Sequence, residues 1–201
     1  MIIGASPERD VQILGTAQRM YDRYNLKRVY YSAYIPVNED RRLPALTTSP
    51  PLLREHRLYQ ADWLLRFYHY TADELLDERM PDLDLDLDPK CAYALQHLDL
   101  FPVEINRADQ ETLLRVPGIG IRSVRKILDA RRYRKIRVED LSKLGLVLKR
   151  AAYFITCDGR MPAVRIPTPE TLRLLLADSA GKKRQSPLQL SLAEVTDGLA
   201  L

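Results

Sequence analysis

Two short helical runs separated by a Pro-Gly-Ile-Gly turn constrain the fold of this chain more than any other feature. Asp109 is a suitable N-cap for the first run, which ends near Pro117. A second amphipathic run begins at Ile121 and continues with apolar residues at helical spacing. Residues 117–120 predict a tight turn between two helices, because glycine adopts backbone conformations that are closed to other residues.

The predicted turn has the chemistry of an anion site. The N–H groups of Gly118, Gly120 and the first turn of the second helix have no helical partner, and the helix dipole adds positive potential there. We expect bare backbone at both glycines to let a phosphate approach, and Ile119 to plug the space between the helices. The other residues of the candidate phosphate-binding set at this turn are Pro117, Arg122, Ser123, Arg125 and Lys126.

The charge of the chain is unevenly distributed. Residues 101–201 carry 19 Lys or Arg against 11 Asp or Glu, whereas residues 1–100 carry 12 against 16. In the window of residues 115–150, 12 basic residues face only 3 acidic ones. A concentrated positive field attracts polyanions, and nucleic acid is the commonest cellular polyanion. A solvated helical face is the alternative interpretation of the basic residues taken alone.

A second, degenerate copy of the helix–turn–helix pattern is predicted downstream. Residues 138–143 predict a short helix, residues 144–146 a turn with one glycine, and residues 147–155 a second helix. The candidate DNA-binding residues of this copy are Gly145, Lys149 and Arg150. Direct contact with DNA and packing support for the first turn are equally compatible with this pattern.

The first 37 residues predict a strand, a helix and a second strand. Ser6-Pro7 is a typical helix start, and the helix is expected to continue to Tyr24. Residues 28–35 are aromatic and β-branched, as in a buried strand. A unit of this length predicts parallel pairing with a right-handed crossover. Two parallel strands alone would leave both sheet edges open, unless other helices cover them.

Further helices are predicted over residues 53–70, from Thr71, and from Asp88-Pro89 to residue 98, with an extended acidic linker over residues 82–88. The fold class predicted is α+β and mostly helical. The predicted divisions of the chain are a segment with two parallel strands (1–81), a linker and helix (82–100), a segment with two helix–turn–helix units (101–157), and a C-terminal helix with a flexible tail (158–201).

Several classes of protein are excluded by composition. No stretch approaches the roughly 18 apolar residues of a membrane span, so we expect no membrane partner. The amino terminus lacks the features of a secretory signal. Cys91 and Cys157 form no CxxC pair and the three histidines are scattered, so no metal site is predicted. A cytoplasmic location is the expectation.

Residues 103–128 closely resemble the helix-hairpin-helix motif of DNA repair and recombination proteins. The opening Ile105-Asn106-Arg107-Ala108 is similar to the version in competence-type DNA receptors. The resemblance implies binding to the sugar–phosphate backbone, which would be independent of sequence and sensitive to salt. In the proteins that this segment resembles, paired units commonly form a compact five-helix domain that grips both strands of a duplex.

Three upstream segments resemble a second family, the DNA modification/repair radical SAM proteins. They are residues 3–10, 27–34 and 51–64. The resemblance implies that residues 1–81 are a partial (β/α) barrel segment, the C-terminal part of a barrel, and that residues 101–157 are a tandem helix-hairpin-helix domain. For full-length members it also implies S-adenosylmethionine and a 4Fe–4S cluster held by CxxxCxxC. This chain lacks that motif, so no cofactor or catalytic residue is expected from it. The resemblance leaves three alternatives: a C-terminal fragment, the product of a truncated reading frame, or one piece of a split protein whose other polypeptide carries the missing barrel half.

The C-terminal residues carry two further signals. Residues 182–184 are basic and are expected to make an extra phosphate contact from a flexible segment. Gln189, Leu190 and Leu192 are similar to the short peptide by which bacterial replication and repair proteins dock on the sliding clamp. Ala193 stands where the aromatic anchor would be, so a weak interaction is expected.

The leading functional hypothesis is therefore DNA binding without sequence specificity, in DNA repair or modification. The alternative is that the chain completes a radical SAM enzyme whose cluster-binding half lies elsewhere. A DNA glycosylase is disfavoured, because no lysine follows the leading helix at the position of the nucleophile and no matching downstream aspartate pattern is present.

Overall fold

The computed structural model describes residues 1–163 and 167–181, which are mostly helical and carry two small pairs of parallel strands. The helices are α1 (Asp10–Tyr24), α2 (Leu52–Tyr68), α3 (Ala72–Leu75), α4 (Pro89–Gln96), α5 (Gln110–Arg115), α6 (Ile121–Ala130), α7 (Leu148–Ala151) and α8 (Pro169–Gly181). The strands are β1 (Ile2–Ile3), β2 (Ser32–Ala33), β3 (Val103–Glu104) and β4 (Ile155–Thr156). Short 3-10 helices cover Leu98–Leu100 and Val138–Asp140. The α+β, mostly helical class predicted from the sequence is confirmed.

The N-terminal strand–helix–strand unit forms as predicted. β1 and β2 pair in parallel, with Ile2 opposite Ser32 and Ile3 opposite Ala33. The paired part of β2 is much shorter than the predicted strand over residues 28–35. Helices α1 and α2 pack on one face of the pair, where Ile3 and Ala33 are buried, and Ile2 and Ser32 are exposed on the other face.

The outer edge of β2 is closed by side chains of α2, which agrees, on this side of the sheet, with the alternative that helices cover the open edges. The Tyr59 hydroxyl accepts a hydrogen bond from the main-chain N–H of Tyr31 at 3.0 Å and donates one to the main-chain oxygen of Tyr31 at 2.8 Å. The Glu55 carboxylate accepts the N–H of Ala33 at 2.6 Å. Polar groups that would recruit another strand are thereby satisfied on this side.

The acidic segment of residues 82–88 is irregular, and it joins two cores. Leu83 is buried with α1, α2 and α3, whereas Leu87 is buried with α4, α5 and α6. Asp84 forms an ion pair with Arg173 of α8. Asp88 caps α4 by accepting the N–H of Cys91 at 3.0 Å. Within the alternation of leucine and aspartate, Leu83 and Leu87 are therefore turned inward, whereas Leu85 is exposed.

The larger core surrounds a second parallel strand pair that the sequence analysis did not predict. β3 and β4 pair with Val103 opposite Ile155, and Ile155 is completely buried. The predicted helix over residues 147–155 is wrong in its second half: α7 ends at Ala151 and the chain then enters β4. Pairing with a strand about 50 residues away outweighs the local helical pattern at these β-branched residues.

Helix α8 packs on the larger core through Leu172 and Leu176. Within the described residues, every helix is too short or too polar to cross a membrane. The basic residues 182–184 and the predicted clamp-binding residues Gln189, Leu190 and Leu192 lie outside the described residues.

Candidate nucleic-acid interface

Helices α5 and α6 are joined by the tight turn of residues 117–120, and α5 begins at a side-chain cap. The Asp109 side chain accepts the N–H of Thr112 at 2.7 Å, as expected for an N-cap. This hydrogen bond holds the pKa of Asp109 below its usual value. The N–H of Ile119 donates to the oxygen of Val116 at 3.2 Å, and Ile119 itself is 1% exposed. The turn thus encloses its isoleucine as predicted.

Gly118 is required for contact between the two turns. Its φ of +81° is strained for any other residue, and a Cβ would lie 2.6 Å from the main-chain oxygen of Val147. The oxygen of Gly118 accepts the N–H of Val147 at 2.9 Å. The bare side of Gly118 therefore faces protein, whereas the sequence suggested that it makes room for phosphate.

Gly145 lies at the corresponding corner of the second turn. Its φ is +79°, and its oxygen accepts the Ser123 hydroxyl at 2.9 Å. A Cβ on Gly145 would lie 3.7 Å from Ser123 Oγ and 3.9 Å from Lys126 Nζ. The two turns hold each other in place, since each provides a main-chain oxygen that the other binds.

The main-chain amides at the start of α6 are left without an acceptor by the part of the chain that the structure describes. Gly120 is the N-cap, and it offers no side-chain oxygen to the first turn. Within the described residues, the N–H groups of Gly120, Ile121, Arg122 and Ser123 have no hydrogen-bond partner. Uncapped amides at the positive end of a helix dipole form a favourable environment for an anion.

Basic side chains surround these amides. Arg122, Arg125 and Lys126 of α6 are exposed, and among the described residues none of them forms an ion pair. Lys126 reaches the second turn beside Gly145, and Lys149 is exposed on α7. The open amides and the unpaired cations together give a surface that can neutralise several phosphates.

Other basic residues of the same window are neutralised by partners within the protein. Ion pairs at 2.7–2.9 Å link Arg115 to Glu74, Arg134 to Asp140, Lys135 to Asp158 and Arg150 to Asp88. Arg131 donates to the oxygens of Ile105 and Ala108, at the entrance to α5. The formal positive charge of residues 115–150 is therefore larger than the charge that remains available to a ligand.

The rear of the turn rests on the N-terminus of α4. Lys90 Nζ donates to the main-chain oxygen of Ile119 at 2.6 Å and lies 4.8 Å from the centre of the Tyr68 ring. Lys90 is only 8% exposed, and this burial lowers the pKa of Lys90 to about 7. Asp88, two residues earlier, holds Arg150 of α7 at 2.8 Å. One end of α4 thus contacts both turns.

The structure divides the candidate residues into two sets. Arg122, Arg125, Lys126, Gly145 and Lys149 are exposed; the first three lie on α6, and Gly145 lies beside Lys126. Gly118 and Gly120 are half-buried. Pro117, Ile119 and Ser123 are buried, and Arg150 is held by Asp88, so the side chains of these four residues support the turns.

Sequence reasoning missed Lys90 and Tyr68. Tyr68 comes from α2, and its hydroxyl lies 3.4 Å from the point where a Cβ of Gly120 would be. No local pattern relates a tyrosine at this distance in the chain to the turn. The position of Lys90 is itself informative, because a cation in the first turn of a helix is destabilised by the helix dipole. Such a lysine is expected to have a compensating interaction elsewhere in the fold.

The two cysteines do not fit an iron–sulfur cluster. Burial raises the pKa of Cys157 to about 11 and also raises the pKa of Cys91, so both thiols are held in the protonated form. The Sγ of Cys157 donates to the oxygen of Ile136 at 2.9 Å. A 4Fe–4S cluster held by CxxxCxxC needs three thiolates close together, and the chain has two cysteines in all.

Comparison of the chain with known proteins finds no matching family model, no matching curated protein and no matching solved structure.

Proposed function

We propose that this protein binds duplex DNA through a helix-hairpin-helix unit made of α5, the turn of residues 117–120 and α6. The open amides of Gly120 to Ser123 would hold one phosphate oxygen, and Arg122, Arg125 and Lys126 would neutralise that phosphate and its neighbours. The observation that carries the proposal is the coincidence of uncapped amides and unpaired cations at one helix start.

Binding of this kind is expected to be independent of DNA sequence. Main-chain amides and flexible cations recognise phosphates, which carry no sequence information. Gly145 of the second turn lies beside Lys126, and Lys149 is exposed on α7, the helix that follows this turn. We therefore propose that the second turn contributes further phosphate contacts, as the resemblance to paired helix-hairpin-helix units implies. A role in DNA repair or modification follows from the same resemblance.

The test is duplex binding measured by fluorescence anisotropy with two unrelated sequences of equal length, over a series of salt concentrations. We expect similar affinities for both duplexes and a steep fall with salt, with a slope of about −0.9 per phosphate contact. The triple variant Arg122→Ala, Arg125→Ala, Lys126→Ala should flatten the slope by about 2 to 3.

A matched control removes the same charge elsewhere. Arg19, Arg23 and Lys27 are exposed on or just after α1, so their replacement by alanine changes net charge equally. This control should keep the slope of the wild-type protein. The proposal would be overturned if the salt slope fell equally in both triple variants. It would also be overturned if the protein bound one of the two duplexes much more tightly than the other.

One feature favours a second candidate function, in which the chain completes a larger barrel with another polypeptide. The sheet consists of β1 and β2 alone among the described residues, and β2 is closed by Tyr59 and Glu55. Any added strand would therefore pair with β1, whose Ile2 is 63% exposed. Isolation of this chain from its native source as an equimolar complex with a CxxxCxxC-containing polypeptide would support this candidate, and isolation as a single chain would contradict it.

The clamp interaction of Gln189, Leu190 and Leu192 remains a separate proposal that rests on sequence alone. A peptide covering residues 184–195 is expected to bind a bacterial sliding clamp weakly. Absence of binding at millimolar peptide would contradict it.

A further inference from the structure

Lys90 is a buried cation that lies behind the proposed binding surface and is not part of it. It is 8% exposed, on the first turn of α4, where the helix dipole opposes a positive charge. A lysine in such a place is expensive unless its ammonium group makes a specific interaction. Here the interaction is a 2.6 Å hydrogen bond to the main-chain oxygen of Ile119, inside the turn.

This hydrogen bond fixes the direction of one peptide plane. In a trans peptide the C=O and the following N–H point in opposite directions. Because the oxygen of Ile119 points inward to Lys90, the N–H of Gly120 must point outward. The Gly120 N–H is the first of the open amides at the start of α6. A rotated plane would present an oxygen there and would repel an anion.

The groups around Lys90 favour a charge that is present near neutral pH and lost above it. Asp88 and Cys91 of α4 raise the pKa of Lys90, but desolvation dominates and lowers it to about 7. From α2 the Tyr68 ring faces the ammonium at 4.8 Å. From α7 the nearby charged group is Arg150, which forms an ion pair with Asp88. The balance leaves Lys90 close to its titration midpoint in physiological conditions.

We infer that Lys90 is a positioning residue for phosphate binding, which holds the Ile119–Gly120 peptide so that the Gly120 amide faces the ligand. This inference rests on the proposed function. A protonated Lys90 both orients the plane and adds positive charge behind it. A bound phosphate should accordingly favour the protonated form, so duplex binding should weaken as pH rises through 7.

Folding stability should rise with pH, whereas duplex affinity should fall. Between about pH 7 and the usual lysine pKa, the unfolded chain keeps the proton that the folded protein has lost. Unfolding then takes up a proton, and stability rises with pH across this interval. A purely structural lysine would change stability in this way, without any effect of pH on DNA affinity. The two readouts therefore separate positioning from structural support.

The experiment compares wild type, Lys90→Met and the surface control Lys27→Met at pH 6 and pH 8.5. Methionine keeps the packing against Tyr68 but cannot donate or carry charge. We expect wild type and Lys27→Met to lose duplex affinity about tenfold between the two pH values, which corresponds to ~1.4 kcal/mol. Lys90→Met should bind weakly at both. The histidines are common to all three proteins, so the differences isolate Lys90.

A second measurement follows the amide of Gly120 and the Cε of Lys90 by NMR in the free protein. Both signals should titrate with one midpoint near 7 in wild type, and the Gly120 shift should be independent of pH in Lys90→Met. This measurement needs no DNA, so a wild-type protein that fails to bind duplex would end the proposed function while the coupling between Lys90 and Gly120 is still decided. Equal pH profiles of binding in wild type and Lys90→Met, or a Gly120 signal that ignores the Lys90 titration, would overturn the inference.

Discussion

The main-chain oxygen of Gly118 accepts the N–H of Val147 at 2.9 Å, so the two turns of the larger core meet directly, backbone to backbone. The reciprocal contact runs from the hydroxyl of Ser123 to the oxygen of Gly145 at 2.9 Å. These two hydrogen bonds set the spacing between the start of α6 and the start of α7. The proposed DNA surface depends on that spacing, because it includes residues from both helices.

Replacing Gly118 by alanine should destabilise the fold strongly. A Cβ there would meet the oxygen of Val147 at 2.6 Å, in addition to the cost of a positive φ. We expect Gly118→Ala to lower the free energy of unfolding by ~3 kcal/mol or more, measured by urea denaturation. Gly159→Ala is the matched control, because Gly159 has φ +74° and nothing within 4 Å of its would-be Cβ. It should cost only about 1–2 kcal/mol, and equal effects would contradict the role of the contact with Val147.

A single charge on α6 should be measurable in the salt dependence of DNA binding. Arg125 is exposed and has no ion pair within the described residues. Arg125→Ala should reduce the slope of log affinity against log salt by about 1. Arg42→Ala removes a charge that is paired with Asp40 at 2.8 Å in the other half of the chain, and it should leave the slope unchanged. An unchanged slope for Arg125→Ala would remove this residue from the interface.

Truncation of Ile119 tests the interior of the turn. Ile119 is 1% exposed and belongs to the larger core. Ile119→Ala should destabilise the protein by about 2–5 kcal/mol, because it leaves a cavity between α5 and α6. Ile2→Ala, at an exposed position of β1, should change the unfolding free energy by less than ~1 kcal/mol. A small effect at Ile119 would mean that the turn collapses around the missing atoms.

The stability of the fold is expected to depend on whether the Glu104 carboxylate is ionised. Partial burial alone would raise its pKa, but hydrogen bonds from the N–H groups of Gly159, Asn106 and Asp158 lower it. Stabilisation by the carboxylate is thus present above the usual glutamate pKa and is lost as pH falls through the lowered value. Glu104→Gln should be less stable by about 1 kcal/mol at pH 7, a low figure for a charged acceptor because Glu104 is partly exposed. The difference from wild type should shrink towards pH 3 in thermal denaturation. A difference independent of pH would contradict this role.

The sequence was most informative where local signals agree. Helix α6 combines a glycine start with apolar residues at helical spacing, and it was predicted with the correct first residue. The Asp109 cap and the burial of Ile119 were also predicted from residues within one turn of each other. Such features depend on neighbours in the chain, which the sequence displays directly.

Features set by distant partners were not predictable. β3 and β4 have two residues each, too few to show a period, and Val103 meets Ile155 only after the chain has folded. Arg150 was predicted to contact DNA, and the sequence does not show that Asp88 lies beside it. Lys90 was missed for the same reason, since its partner at Ile119 lies 29 residues away.

The reciprocal hydrogen bonds between the turns have a consequence for fragments of the chain. Residues 131–137 join α6 to the second turn and include the exposed Tyr133 and Arg132. A nick in this connection would separate Gly118 from Val147 and Ser123 from Gly145 on different pieces. Neither corner could then close by itself, so recovery of the surface would require the two pieces to reassociate and would depend on their concentration.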